Sequence, residues 1–252
     1  IGPFYQKNVD ELSKSFKSTS TLIVSPLSTD KGQPYPNQVH TMPNEDLLKS
    51  EVISYLESKN ENVVSITHPS DKNVNAKYYN GKSFITNIET NAKGNVTKAM
   101  LEDKLKKGQK NYVILDTSNL TATIESIFTL NGLMKTYDIQ LVVLDRDVNL
   151  DSTDVSIQDL ANLNMLFPSV TNESNSSKRN QFTSDYKKKY GKNPSKFAVR
   201  GYDVVTDMAQ RMFSGADGNL FEYGTDQVEN KFTYIDNDGG IYNNGVFILH
   251  YS

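Results

Sequence analysis

The chain has 252 residues, long enough for one large domain or two modest lobes with their own cores, which excludes a disulfide-stapled miniprotein. Its 27 Lys+Arg against 30 Asp+Glu give a net charge of -3, and no basic stripe stands out, so the cationic footprint of a nucleic-acid binder is missing. Cysteine is absent, which removes thiolate catalysis, thiolate metal sites and disulfides. No apolar run approaches the about 18–20 residues that span a bilayer, so membrane insertion is not expected. The start at Ile1-Gly2-Pro3 suggests a processed or excised piece.

Asn8 followed by Glu11 fits a capping box, and Val9, Leu12 and Phe16 recur at helical spacing, so the pattern predicts an amphipathic helix over 8–17. A β-branched run over 21–25, closed by Pro26, reads as a strand, and 28–38 as a loop. Asn44 can cap a helix whose Leu47, Leu48, Val52, Tyr55 and Leu56 form one stripe, and 63–67 is again a strand. Over 69–94 the signal is mixed, with a short helix and a strand near 83–88 expected. The rhythm returns with a helix over 95–107 stopped by Gly108, a strand over 112–115, a helix over 120–134 and a buried strand over 139–144. Continuous apolar strands alternating with helices are the mark of βαβ units and a parallel sheet covered on both faces. The fold class is therefore α/β.

After a short apolar piece at 163–167 and a polar connection at 171–179, two helices are expected over 181–190 and 197–213. The second should turn Ala198, Tyr202, Val205, Met208 and Met212 inward. Residues 231–235 and 246–249, around the Asp/Asn/Gly cluster 236–240, read as a C-terminal antiparallel hairpin.

Several stretches, in this order, resemble the type 1 periplasmic binding proteins, the two-lobed family that includes the branched-chain amino-acid binding proteins of ABC transporters. They are Ile1-Gly2-Pro3 before a helix, the strand and loop 22–28, Thr41-Met42-Pro43-Asn44, and above all Tyr186, Tyr190-Gly191-Lys192-Asn193-Pro194 and Phe197-Ala198-Val199-Arg200-Gly201-Tyr202-Asp203. The resemblance implies two lobes of parallel sheet flanked by helices, with the first lobe incomplete because the family has further strand–helix units before the segment at Ile1. It implies a partial lobe 1 from 1–42 plus 172–235, a lobe 2 from 43–171, and a final crossing with the C-terminal strand over 236–252. The stretch 70–91 departs from the family pattern, and Tyr78 or Tyr79 is expected to substitute for its usual ligand contacts.

Ligands of open parallel sheets sit outside the carboxyl ends of strands. The candidate ligand-binding residues there are Tyr5, Gln6, Ser28, Thr29, Ser118, Asn119, Asp145 and Arg146, and the resemblance adds Phe197 as an apolar wall. Within the family, the positions of Ser28 and Thr29 hold an α-carboxylate and Asp145 lies near the acid that takes the α-ammonium. Each also has a plainer reading: loop or cap residues for the hydroxyls and Asn119, a solvated charge cluster for Asp145-Arg146, core packing for Phe197. No histidine has a partner at metal-ligand spacing and no phosphate-loop, hydrolase-elbow or dinucleotide motif occurs, so no cofactor, metal or catalytic residue is expected. Lys187-Lys188-Lys189 reads as a solvated helix end. The reading is a non-enzymatic solute-binding or sensing module of an exported bacterial envelope protein, periplasmic or extracytoplasmic. It takes a small polar, amino-acid-like ligand by hinge closure, with a membrane permease or cell-wall components as partners. The alternative is a cell-envelope scaffold with the same fold and a degenerate pocket, fused to cell-wall-binding repeats.

Overall fold

A computed structural model describes all residues except 72–74, 146–149, 151–154, 175, 215–219, 238 and 252. The first half runs α1 (Gln6–Phe16), β1 (Ile23–Ser25), β2 (Gln38–His40), α2 (Glu45–Lys59), β3 (Asn62–Thr67), α3 (Ala76–Tyr79), β4 (Ile85–Glu89), α4 (Lys98–Glu102) and β5 (Lys110–Asp116). It continues with α5 (Leu120–Leu133), β6 (Asp138–Val142), α6 (Ile157–Asn162), β7 (Leu166–Ser169), α7 (Ser177–Tyr190) and α8 (Lys196–Ser214). The chain ends in β8 (Thr225–Asp226), β9 (Lys231–Phe232), β10 (Tyr234–Asn237), β11 (Gly240–Asn243) and β12 (Phe247–His250). These elements divide into two compact units, one of Ile1–Leu47 with Ser169–Phe247, the other of Leu48–Pro168 with Ile248–Ser252.

The second unit is a six-stranded sheet in the order β12-β7-β6-β5-β3-β4. β4, β3, β5, β6 and β7 run parallel in adjacent pairs. Successive strand residues point to opposite faces, so consecutive apolar residues demand cover on both sides, and the two cores show it. Val64, Ile66, Val113, Leu115 and Leu141 pack with Ile127 and Leu130 of α5. Their neighbours Val63, Tyr112, Ile114 and Val142 pack with Val52, Ile53 and Leu56 of α2. The mixed stretch resolves into α3 and β4.

The first unit carries a sheet in the order β1-β2-β11-β10, parallel from β1 to β11 and closed by the antiparallel pair β10–β11. Val24 and Val39 of that sheet pack against Val204 and Met208 of α8 and against Phe232 and Tyr234.

Four expectations need correction. Helix α1 starts two residues before Asn8, with Tyr5 as an uncapped N-cap; it buries Val9 and Ser13 and leaves Leu12 and Phe16 outward. The helix expected over 95–107 is only α4: Thr97 accepts from the Met100 N–H and sets its start, and the helix closes at Asp103. Helix α8 buries Val199, Arg200, Asp203, Val204, Asp207, Met208 and Arg211, while Tyr202, Val205 and Met212 are exposed. Its inner face does not read as apolar because four of its buried residues are charged: Arg211 pairs with Asp207, while Arg200 and Asp203 bond to other segments of the unit. The C-terminal hairpin is present, but β10 pairs with β11; Phe247–His250 instead lies beside β7 in the other sheet.

Candidate ligand site at the strand exits

In the second unit the chain leaves β3 to form β4 on one side and returns to form β5 on the other. Connections therefore diverge between β3 and β5, which is the switch point where α/β sheets open a crevice beyond their carboxyl ends. The register Thr67↔Asp116 brings residues 68–71 and 117–119 side by side there. Ser118 Oγ donates to Asp71 Oδ1 at 2.6 Å, and the Ser118 N–H donates to Asp71 Oδ2 at 3.3 Å. Asp116 accepts from Asn75 Nδ2 at 2.7 Å and from the Tyr79 hydroxyl at 2.5 Å. Burial pushes the Tyr79 phenol well above its ordinary range, and the Asp116 carboxylate, which accepts its proton, pushes it further. Tyr79 is thus a fixed donor that orients the carboxylate. At the next exit, after β6, Asp145 pairs with Lys49 Nζ at 3.1 Å. Three adjacent exits therefore each present an aspartate: Asp71, Asp116 and Asp145.

His68, 3% exposed, sits at the same end. The Ser70 N–H donates to its Nδ1 at 3.2 Å, and the Ser70 hydroxyl lies 2.7 Å from the same nitrogen. The buried Nε2 has no hydrogen-bond partner among the described residues.

In the first unit the parallel register Ser25↔His40 places the turns after β1 and β2 at one edge. Arg200 braces both, donating from Nε to Pro26 O at 3.0 Å and from Nη2 to Thr41 Oγ1 at 2.7 Å. Its Nη1 donates to Asn230 Oδ1 at 2.5 Å, and burial lowers its pKa to about 10. Asp203 accepts from the N–H groups of Val228, Glu229 and Asn230 and from Asn230 Nδ2. The segment 197–203 is therefore what holds the β1 exit turn, with its Ser28 and Thr29, in place.

The other expected residues fall as follows. Tyr5 is 77% exposed, and Gln6 Nε2 donates to Asp10 Oδ1 at 2.8 Å. Ser28 Oγ accepts from the Asp30 N–H at 3.3 Å, a local turn, and Thr29 is exposed. Asn119 caps α5, accepting from the Ala122 N–H at 2.9 Å. Phe197 is 62% exposed and lines a groove of about 930 Å³ with Tyr186, Tyr190 and Tyr202. Arg146 lies outside the described residues. Ser118 and Asn119 stand together at one exit and Asp145 at the next along the sheet order, whereas Tyr5, Gln6, Ser28, Thr29 and Phe197 belong to the other unit. Lys49 and Asn75 carried no sequence signal of a site, whereas His68 to Asp71 is legible as a strand exit. For Lys49 one was available: a lysine on the apolar stripe between Leu48 and Val52 must find a partner.

No protein-family model matches the sequence, and no curated protein matches it. Solved structures do. An ABC transporter substrate-binding protein from Desulfitobacterium hafniense superposes with a TM-score of 0.50 at 16% identity, covering 98% of this chain and 76% of that one. A branched-chain amino acid ABC transporter periplasmic ligand-binding protein from Burkholderia xenovorans gives a TM-score of 0.50 at 10% identity, covering 99% and 76%. The chain has the type 1 periplasmic-binding-protein fold. At such identities the likeness shows the fold alone. Within the type 1 fold of this chain, Arg200 and Asp203, which carried the resemblance in sequence, are buried braces; the groups open to chemistry are those at the strand exits. Among the described residues no group of three metal-ligating side chains converges, and no helix is long and apolar enough to cross a membrane.

Proposed function

We propose that the chain is a solute-binding or sensing module of an exported bacterial envelope protein, taking a small polar, amino-acid-like ligand without chemical conversion. The observation that carries this reading is the switch point of the second unit, where Asp71, bonded to Ser118, and Asp116, bonded to Asn75 and Tyr79, stand at adjacent strand exits in a type 1 fold. Carboxylates suit an ammonium group, so the exits fit an amino-acid-like ligand better than a simple anion. The solved relative from Burkholderia xenovorans is described as a branched-chain amino acid periplasmic ligand-binding protein, which supports the same class. Ser28 and Thr29 are proposed as further contacts, and hinge closure as the step that buries the ligand. A transporter permease is the partner this implies.

Isothermal titration of the chain against amino acids, amides and small anions tests the reading. Amino acids are expected to bind, and Asp71→Asn with Ser118→Ala is expected to weaken them about tenfold or more, since hydrogen bonds to charged groups contribute about 1.5–3 kcal/mol. Silence with all three classes would overturn it. One observation favours a scaffold role instead: Asp71 is bonded to Ser118, Asp145 to Lys49, and Asn119 to its own helix, as in a pocket that satisfies itself. In that case the same variants change stability and nothing else.

A further inference from the structure

Lysines at a helix end are ordinarily solvated, but the structure adds two facts about α7 that a run of lysines alone does not supply. Helix α7 buries none of its residues. The stretch 186–197, which includes its last turns and the start of α8, contains Lys187, Lys188, Lys189, Lys192 and Lys196 and no acidic residue. All five lysines are exposed. The whole chain carries -3, so this one end is strongly positive on a molecule that is otherwise negative. Lys188 pairs with Asp185 at 3.6 Å; Lys187, Lys189, Lys192 and Lys196 make no ion pair among the described residues.

Set among these charges are two rings that the fold does not use for its core. Tyr190 is 54% exposed and Phe197 62%. The Lys189 ammonium lies 5.4 Å from the Tyr190 ring centre, and that of Lys196 5.4 Å from Phe197. Exposed aromatic side chains ringed by lysines match the two layers of a membrane surface: rings enter the boundary between headgroups and acyl chains, and ammonium groups meet the phosphates. The choice of cation points the same way. A single bound phosphate or carboxylate is recognised by forked, braced arginines, whereas here every cation is a lysine on a flexible stem, and only Lys188 has an ion pair among the described residues. Such a site has no fixed geometry to offer one anion and suits a dense, fluid array of them.

We propose that residues 186–197 form a docking surface for an anionic phospholipid bilayer, on which the chain lies peripherally with Tyr190 and Phe197 inserted among the headgroups. The negative remainder of the chain is repelled from such a surface, so approach is oriented with this end forward. This proposal does not depend on the ligand reading.

Co-sedimentation of the chain with vesicles tests it. Vesicles of phosphatidylglycerol mixed with phosphatidylcholine are expected to pellet the chain, vesicles of phosphatidylcholine alone are not, and about 1 M salt, where the Debye length is about 3 Å, should release it. Lys187→Glu with Lys188→Glu and Lys189→Glu should lower partitioning more than about tenfold. The Lys→Gln triple variant, which keeps the stems, should act in the same direction, and Tyr190→Ser with Phe197→Ser should lower partitioning several-fold with charge intact. All these residues are exposed, so circular-dichroism melting is expected to be unchanged. Equal partitioning onto neutral vesicles, or charge-reversal variants that still pellet, would overturn the proposal. So would capture on a polyglutamate resin that is as tight as on vesicles and indifferent to loss of the two rings, an outcome that assigns the patch to an acidic protein.

Discussion

Asp203 shows how one side chain can explain a motif without touching a ligand. It accepts four hydrogen bonds from the segment 228–230, and Asn230 in turn holds Arg200 against the β1 exit turn. Asp203→Ala strands three buried N–H groups and removes the counter-charge of a buried guanidinium, so a loss of about 3 kcal/mol or more is expected in urea unfolding. Asp203→Asn keeps one acceptor oxygen and should lose less. A second prediction at this scale concerns His40, which is 1% exposed and stacked 4.6 Å from Tyr242. Burial lowers its pKa from 6.5 to about 4, with Asp10 and Asp30 opposing. The unfolded chain therefore takes up a proton below pH 6.5 that the folded chain refuses. Stability is complete above pH 6.5 and is lost as the pH falls toward 4, by on the order of 3 kcal/mol. His40→Phe keeps a stacking ring and does not titrate, so unfolding midpoints of the variant should decline less than those of the native chain across that window. Such residues are the part of the site least legible in sequence. Asn119 looks the same on paper as a ligand contact or a cap, and the choice is made by the Ala122 N–H that it accepts from.

At the scale of elements, legibility followed the length and apolarity of each segment. β3, β5 and β6 are apolar at successive positions and were readable, and so was α7, whose end is marked by Gly191 at φ 71°. β2 was not, because Gln38-Val39-His40 is too short for a period to show and two of its three buried side chains are polar. Helix α8 was found but turned the wrong way, since its inward stripe alternates apolar residues with Arg200, Asp203, Asp207 and Arg211. Arg211 pairs with Asp207 at 3.0 Å, and a helix face built from such pairs does not register as apolar. Element packing also sets the cost of a methyl group at two glycines. Gly94, at φ 84°, would place a Cβ 2.8 Å from the Ala122 backbone nitrogen in the first turn of α5, whereas Gly108, at φ 78°, has open space around it. Both substitutions pay the left-handed penalty of about 1–2 kcal/mol. Gly94→Ala must in addition push α5 away, so it should cost clearly more than Gly108→Ala and also loosen the Asn119 cap. Chemical denaturation of the two variants side by side checks this, and equal losses would show that the close approach is not rigid.

At the scale of the molecule, the two units differ in how much core each owns. Among the described residues the second has clusters of 21 and 11 buried apolar residues on the two faces of its sheet, and the first a single cluster of six. The first unit relies more on polar braces such as Arg200–Thr41 and Asp207–Arg211. It also leaves many large apolar side chains exposed, among them Phe4, Tyr5, Phe197, Met212 and Phe213. Burial contributes about 1.5–3 kcal/mol per large apolar side chain, while buried hydrogen-bonded networks contribute little net and fix geometry more than stability. The first unit is therefore expected to open before the second. Hydrogen exchange with mass spectrometry on the native chain should show peptides holding Val39 and Val204 exchanging faster than those holding Val64, Val113 and Leu141. Heating should release the first unit in a lower transition. Arg200→Met, which removes the brace from both exit turns, should lower only that first transition. Uniform protection across both sets of peptides, with one shared transition that Arg200→Met shifts as a whole, would show that the stability of the chain is not partitioned as its cores are.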